Sequence, residues 1–234
     1  MTNKQNKEAT QNLGDRLNEM VPFLISEVLV QVHDTSRVSV FSDGEFLFGI
    51  SLFECQRLGL YKGKEVDAHL AKRISVSVNQ DYIKQWLLGL LGKRPYSRFE
   101  ILQKSRKKGF SSSDVTPVLD QFESRGWIND EEFARMYASD QARLRGYGPQ
   151  KIRANLMQKG VSDLIINTVL NEVHSDIDLE SVFQKLVLKK KNHFLRENDT
   201  FKRKKKVVDY LLRKGFHGND VFKHIDHLLK ELST

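Results

Sequence analysis

Gly148-Pro149-Gln150-Lys151-Ile152-Arg153-Ala154-Asn155-Leu156-Met157-Gln158-Lys159-Gly160 reads as one short helix with both ends marked. Proline at the first helical position gives up only an N–H that has no helical partner there. A glycine after the last turn readily takes a positive φ, and Lys159 lies beside the negative end of the helix dipole. The same punctuation recurs on either side: Gly109 follows Lys107-Lys108, and Gly215 follows Arg213-Lys214. Eight residues before the three glycines stand Ile101, Ile152 and Val207. Six after them stand Val115, Ile166 and Val221; ten after, Leu119, Leu170 and Ile225; thirteen after, Phe122, Val173 and Leu228. These offsets mark one face of a helix. The glycines are 51 and 55 residues apart, the spacing of a repeat of two or three helices.

Working outward, each repeat reads as helix, capped helix, glycine, helix. Ser97-Arg98-Phe99-Glu100 is a capping box, in which hydroxyl and carboxylate each satisfy an amide at the helix start. Ser111 and Asn129 offer further caps. Tyr82, Ile83, Trp86 and Leu87 give the first repeat its opening apolar stripe, Phe133, Ala134, Tyr137 and Ala138 the second, and Leu179, Val182, Phe183 and Leu186 the third. The expected fold is mainly α, with tandem three-helix repeats in an elongated crescent at residues 76–128, 129–175 and 176–234. Gly109, Gly160, Gly215, Trp86 and Trp127 are its structural positions, with both tryptophans in the core.

Before residue 76 the period changes from helical to two. Val28, Val30 and Val32 alternate with other residues, Val38 and Val40 follow, and Phe46, Phe48 and Ile50 alternate after Ser42-Asp43-Gly44-Glu45. Asp-Gly between alternating runs is a strong hairpin signal. Strands are expected near 25–33, 36–42 and 45–50, and a helix over 52–60, in a small module at 21–75. Residues 1–20 are expected as a flexible arm, with a short helix near 13–20.

The composition excludes several classes of function. One cysteine among 234 residues allows neither an internal disulfide nor a cysteine-cluster metal site. No stretch approaches eighteen apolar residues, and the polar N-terminal residues lack the apolar core of a signal peptide, so a cytoplasmic protein is expected. No phosphate-binding glycine loop, His-Glu-x-x-His pattern or converging acid–base group occurs, so no catalytic residue, metal or cofactor is assigned.

The charge carries more information. Lys plus Arg is 38 against 30 for Asp plus Glu, a formal +8. Residues 93–108 hold seven basic residues and one Glu, and residues 179–214 hold twelve basic and four acidic residues. An excess equal to that of the whole chain therefore sits in one segment. Clustered cations on repeated helical faces suit an anionic partner, whether phosphates or acidic protein surface. The contact candidates are Arg94, Arg98, Lys104, Lys107 and Lys108 in the first repeat, and Arg143, Arg145, Lys151, Arg153 and Lys159 in the second. Lys202, Arg203, Lys205, Arg213 and Lys214 are those of the third. Tyr96 and Tyr147, set among basic residues, are candidates for stacking on bases.

Arg94-Pro95-Tyr96-Ser97-Arg98-Phe99-Glu100, followed by Lys108-Gly109-Phe110 and Gly126-Trp127-Ile128-Asn129-Asp130-Glu131-Glu132-Phe133-Ala134, resembles the first repeat of the bacterial RecX family, modulators of the RecA recombinase. Arg143-Leu144-Arg145-Gly146-Tyr147-Gly148-Pro149-Gln150-Lys151-Ile152, continuing to Lys159-Gly160-Val161-Ser162, resembles the second. Phe201 to Phe216, ending Leu211-Leu212-Arg213-Lys214-Gly215-Phe216, resembles the third. The resemblance covers roughly residues 80–232. It departs from the family at Phe99 and Ser105, and at Phe216-His217-Gly218. It implies a non-enzymatic protein in the groove of the RecA filament on DNA, limiting strand exchange and coprotease activity in DNA repair and the SOS response; nothing in the sequence requires a dimer, and a monomer is expected. DNA itself is a further implied partner, and no membrane is. Read from the residues alone, a sequence-specific duplex DNA regulator and a single-stranded nucleic-acid-binding protein stay open as alternatives.

Overall fold

A computed structural model of the chain describes residues 13–174 and 178–233. Its contacts divide it into two units, one running up to Arg94 together with Lys104–Ser124, the other Pro95–Gln103 together with the chain from Arg125.

The first unit opens with α1 (Leu13–Met20) and β1 (Phe23–Leu24), followed by the three strands β2 (Glu27–Gln31), β3 (Asp34–Ser42) and β4 (Glu45–Ser51). α2 (Leu52–Leu58), β5 (Glu65–Val66) and the 24-residue α3 (Ala68–Leu91) come next. β2, β3 and β4 form an antiparallel sheet in that order, with Val28 opposite Val40 and Val38 opposite Ile50. The hairpin expected at Asp43-Gly44 is present: both residues have positive φ, 49° and 81°, as a two-residue turn matched to strand twist requires. Ser51 caps α2, and Gly59 ends it in the left-handed conformation.

Val38, Val40, Leu47, Phe48 and Ile50 from the sheet meet Cys55 and Leu58 from α2 and Ala71, Ile74 and Val78 from α3 in one core. Leu13 and Leu17 of α1 are buried in the same core. The expectation of a flexible arm over 1–20 is therefore corrected from Leu13 onward. A leucine pair four residues apart forms an apolar stripe that finds a partner in α3. Residues 1–12 lie outside the described chain. The boundary expected at 76 also gives way, because α3 runs through it. Its first half belongs to this core, and its second half places Tyr82 and Trp86 edge-on to Phe110, with ring centroids 5.7 and 5.2 Å apart. α5 (Ser112–Ser124) packs along α3 and buries Val115, Val118, Leu119 and Phe122.

α4 (Arg98–Lys108) contributes its first residues to the second unit. There follow α6 (Asp130–Arg145), α7 (Pro149–Gln158) and α8 (Asp163–His174), then α9 (Leu179–Leu188), a short α10 (Lys191–Leu195), α11 (Thr200–Arg213) and α12 (Gly218–Ser233). The α6–α8 core holds Phe133, Ala134, Ala138, Ile152, Leu156, Val161, Ile166 and Val169. The core of the third repeat holds Phe183, Phe194, Val207, Leu211, Phe216, Val221, Ile225 and Leu228. These are the positions picked out by the eight-before and six-, ten- and thirteen-after pattern, with additions. α10 is an insertion in the third repeat that the pattern did not show; Phe194 anchors it in the core.

Successive repeats meet in the same way twice. Ser97 and Gly148 each stand twelve residues before their repeat's glycine. Ser97 Oγ donates to the Lys159 carbonyl at 2.6 Å, and Gly148 N donates to the Lys214 carbonyl at 2.8 Å. Gly160 and Gly215 do more than end helices. A Cβ on Gly160 would stand 2.3 Å from Cβ of Phe99, and one on Gly215 would stand 2.4 Å from Cβ of Lys151. Their positive φ values, 72° and 93°, already disfavour any side chain.

Candidate functional site

A groove of about 600 Å³ lies in the second unit between the start of α4, α6 and α7. Phe99 and Gln103 come from α4, Tyr137, Gln141 and Arg145 from α6, and Lys151, Asn155 and Gln158 from α7. The local sequence explains the arrangement. Asn129 caps α6 by accepting from the amides of Glu131 and Glu132, and Gly146, at φ 59°, stops the helix just after Arg145. The chain turns there, its Tyr147 amide donating to the Gln141 carbonyl at 3.1 Å. Pro149 then starts α7 almost at once. The outcome is a wall of carboxamides, which donate and accept, beside two tyrosine rings and exposed cations.

Beyond Tyr147 the positive charge is concentrated. Lys214 Nζ donates to the Arg145 carbonyl at 2.6 Å and stands 4.9 Å from the centre of the Tyr147 ring and 5.9 Å from that of Tyr210. Lys190 Nζ lies 5.0 Å from the same Tyr210 ring. Burial lowers the Lys214 ammonium below the usual lysine range, and the charges of Lys190, Lys189 and Arg145 push it further. Among the described residues no carboxylate pairs with any of these four cations. Ring faces attract cations, but they do not cancel like-charge repulsion. Such a cluster can hold an anion, either a phosphate or a carboxylate.

The structure sorts the residues singled out by the sequence. Arg145, Lys151, Lys159 and Tyr147 line the groove, and Lys214 backs Tyr147. Lys159, however, is tied to Glu100 at 2.8 Å and sits over the Tyr137 ring. Arg153 is bound to Asp163 and Asn167, and Arg203 donates twice to the Glu197 carbonyl. Lys108 lies over the rings of Tyr82 and Phe110, and Arg98 is half-buried. Arg94, Lys104, Lys107, Arg143, Lys202, Lys205 and Arg213 are exposed and do not line the groove. Two aromatic readings are corrected. Tyr96 is 8% exposed and buried with its neighbour Ser97, so its ring offers no face to a base. Trp127, expected in the core, is 50% exposed, with the Arg125 guanidinium over it at 5.2 Å. It follows Gly126 outside the helices, where no apolar stripe directs it inward. Gln103, Gln141, Asn155, Gln158 and the Lys189-Lys190 pair were not singled out by sequence reasoning, and Tyr137 was read only as part of the apolar stripe of the second repeat. The pair lies at the start of the densest basic run, which was a usable signal; the neutral amides gave none.

Comparison with known proteins fits this division. Residues 129–170 match the family description "RecX, second three-helix domain" and residues 178–225 match "RecX, third three-helix domain". Regulatory protein RecX of Clostridium botulinum (strain Eklund 17B / Type B) is 28% identical over 206 residues, covering 86% of this chain and 93% of that protein. Regulatory protein RecX of Haemophilus influenzae (strain PittGG) is 35% identical over 136 residues, 58% of this chain and 87% of that protein. The chain belongs to the RecX family. A crystal structure of regulatory protein RecX superposes with a TM-score of 0.74 at 23% identity, over 88% of this chain and 99% of that one. RecX from Lactobacillus salivarius gives a TM-score of 0.56 at 22% identity, over 66% and 97%. Both share the fold of repeated three-helix modules. RecX proteins are regulatory and not catalytic. Among the described residues no helix is long and apolar enough to cross a membrane.

Proposed function

We propose that this chain modulates RecA, mainly as an inhibitor, by binding in the groove of the RecA–DNA filament and limiting strand exchange and coprotease activity. The observation that carries the reading is the convergence of Arg145, Lys189, Lys190 and Lys214 without a carboxylate partner, in a chain of the RecX family. Gathering like charges costs stability in the free protein, and an anionic partner offsets that cost. The filament offers phosphates and carboxylates along one groove, and the amide-lined groove beside Tyr147 supplies directional hydrogen bonds to the same partner. The protein acts as a monomer that meets the filament, with DNA as a direct contact.

The test adds purified protein to preformed RecA filaments and follows strand exchange. Inhibition that saturates is expected. An unchanged rate at saturating protein would overturn the reading.

A further inference from the structure

A second groove, of about 520 Å³, lies wholly in the first unit between α2 and α3. Arg57 and Leu58 form one side, and His69, Lys72, Arg73 and Val76 line the other from successive turns of α3. The opposite face of α3 carries Ala71, Ile74 and Val78 into the core, which fixes the orientation of the basic stripe. Arg57 is held by Glu54, which also accepts from the Ser77 hydroxyl at 2.6 Å. That carboxylate is therefore spent at the back of the groove. Lys72 and Arg73 are exposed and have no ion pair among the described residues. Between the cations Val76 is 42% exposed, over a floor formed by Leu58.

We propose that this groove binds an acidic peptide segment of a protein partner, carboxylates against Lys72 and Arg73 and one apolar side chain against Val76 and Leu58. Charge complementarity selects the sign of the partner. The floor selects its kind: Leu58 and Val76 make it aliphatic, and the one ring on its lining is the small imidazole of His69, so a nucleic-acid strand would find phosphate contacts but no series of ring faces for successive bases. An apolar anchor flanked by acidic residues satisfies both parts. The inference is independent of the filament reading, because it concerns other residues in the other unit.

Fluorescence anisotropy of the full chain tests it with a labelled Glu-Asp-Glu-Leu-Asp-Glu peptide, the same peptide with Ser for Leu, and labelled oligothymidine. The leucine peptide should bind more tightly than the serine peptide, and its affinity should fall about tenfold or more in Lys72→Glu/Arg73→Glu. The milder Lys72→Ala/Arg73→Ala should show a smaller loss, and Lys62→Glu, an exposed change outside the groove, should show none. Failure of the wild-type chain to bind the leucine peptide would overturn the proposal. So would equal affinity for the two peptides, unchanged affinity in both double variants, or a loss confined to oligothymidine. Strand-exchange inhibition, measured on the same variants, reports on the filament reading separately.

Discussion

Lys214 stands where three other cations already oppose its charge, and its amine has the Arg145 carbonyl as acceptor. A lowered pKa means a larger unprotonated fraction at a given pH, so Lys214 should be acylated at lower pH in the wild-type chain than in Lys189→Ala/Lys190→Ala, which removes two of the opposing charges. Mass spectrometry of the labelled chains reads this directly, and identical pH dependence of Lys214 in the two would contradict the electrostatic description. A saturating polyanion should protect Lys214 and shift its labelling to higher pH. At Gly215 the constraint is steric. Gly215→Ala should cost about 1–2 kcal/mol for the left-handed backbone and more for the approach of Lys151. Gly126 has positive φ but open space around its missing Cβ, so Gly126→Ala should lose the backbone term alone. Denaturant melts of the two variants isolate the contribution of the joint; equal losses would mean that the joint yields without cost.

Among the elements, the helices and their ends were legible in the sequence. Gly109, Gly160 and Gly215 declare themselves by basic residues before them and by apolar positions at fixed offsets after them, a signal local to each helix. What Gly160 and Gly215 touch was not legible, because Phe99 and Lys151 reach them from another repeat. Burial of Trp127 was misjudged for a local reason: it follows Gly126 outside the helices and is half exposed, whereas Phe183 stands in the apolar stripe of α9 and is fully buried against Phe216 at a centroid distance of 4.8 Å. Phe183→Ala should cost about 3–5 kcal/mol, while Trp127→Ala should cost clearly less, because half of its surface is already in water. Chemical denaturation checks both, and comparable losses would return Trp127 to the core. Leu13 and Leu17 repeat the lesson: a two-leucine stripe is too short to specify burial until α3 supplies the opposite face.

For the whole molecule, a formal charge of +8 says only that an anion is favoured. Its placement says more. In the second unit Lys159 and Arg153 are tied into local ion pairs, whereas Arg145, Lys189, Lys190 and Lys214 face one another with no carboxylate paired to them among the described residues. Family membership was legible in the motifs around Tyr147 and Gly215, but the groove that adjoins them was not, since its amides come from three helices far apart in the chain. Filament binding should weaken as salt rises, with a shallower dependence once the cluster is neutralised. The most direct measurement compares wild-type protein with Arg145→Glu/Lys189→Glu/Lys190→Glu, all exposed positions, in strand exchange on preformed RecA filaments. Wild type should inhibit at saturation, and the triple variant, with an unchanged fold by circular dichroism, should need about tenfold more protein or better for the same effect. Equal inhibition by the two proteins would contradict the account of the site, and no inhibition by wild type would contradict its function.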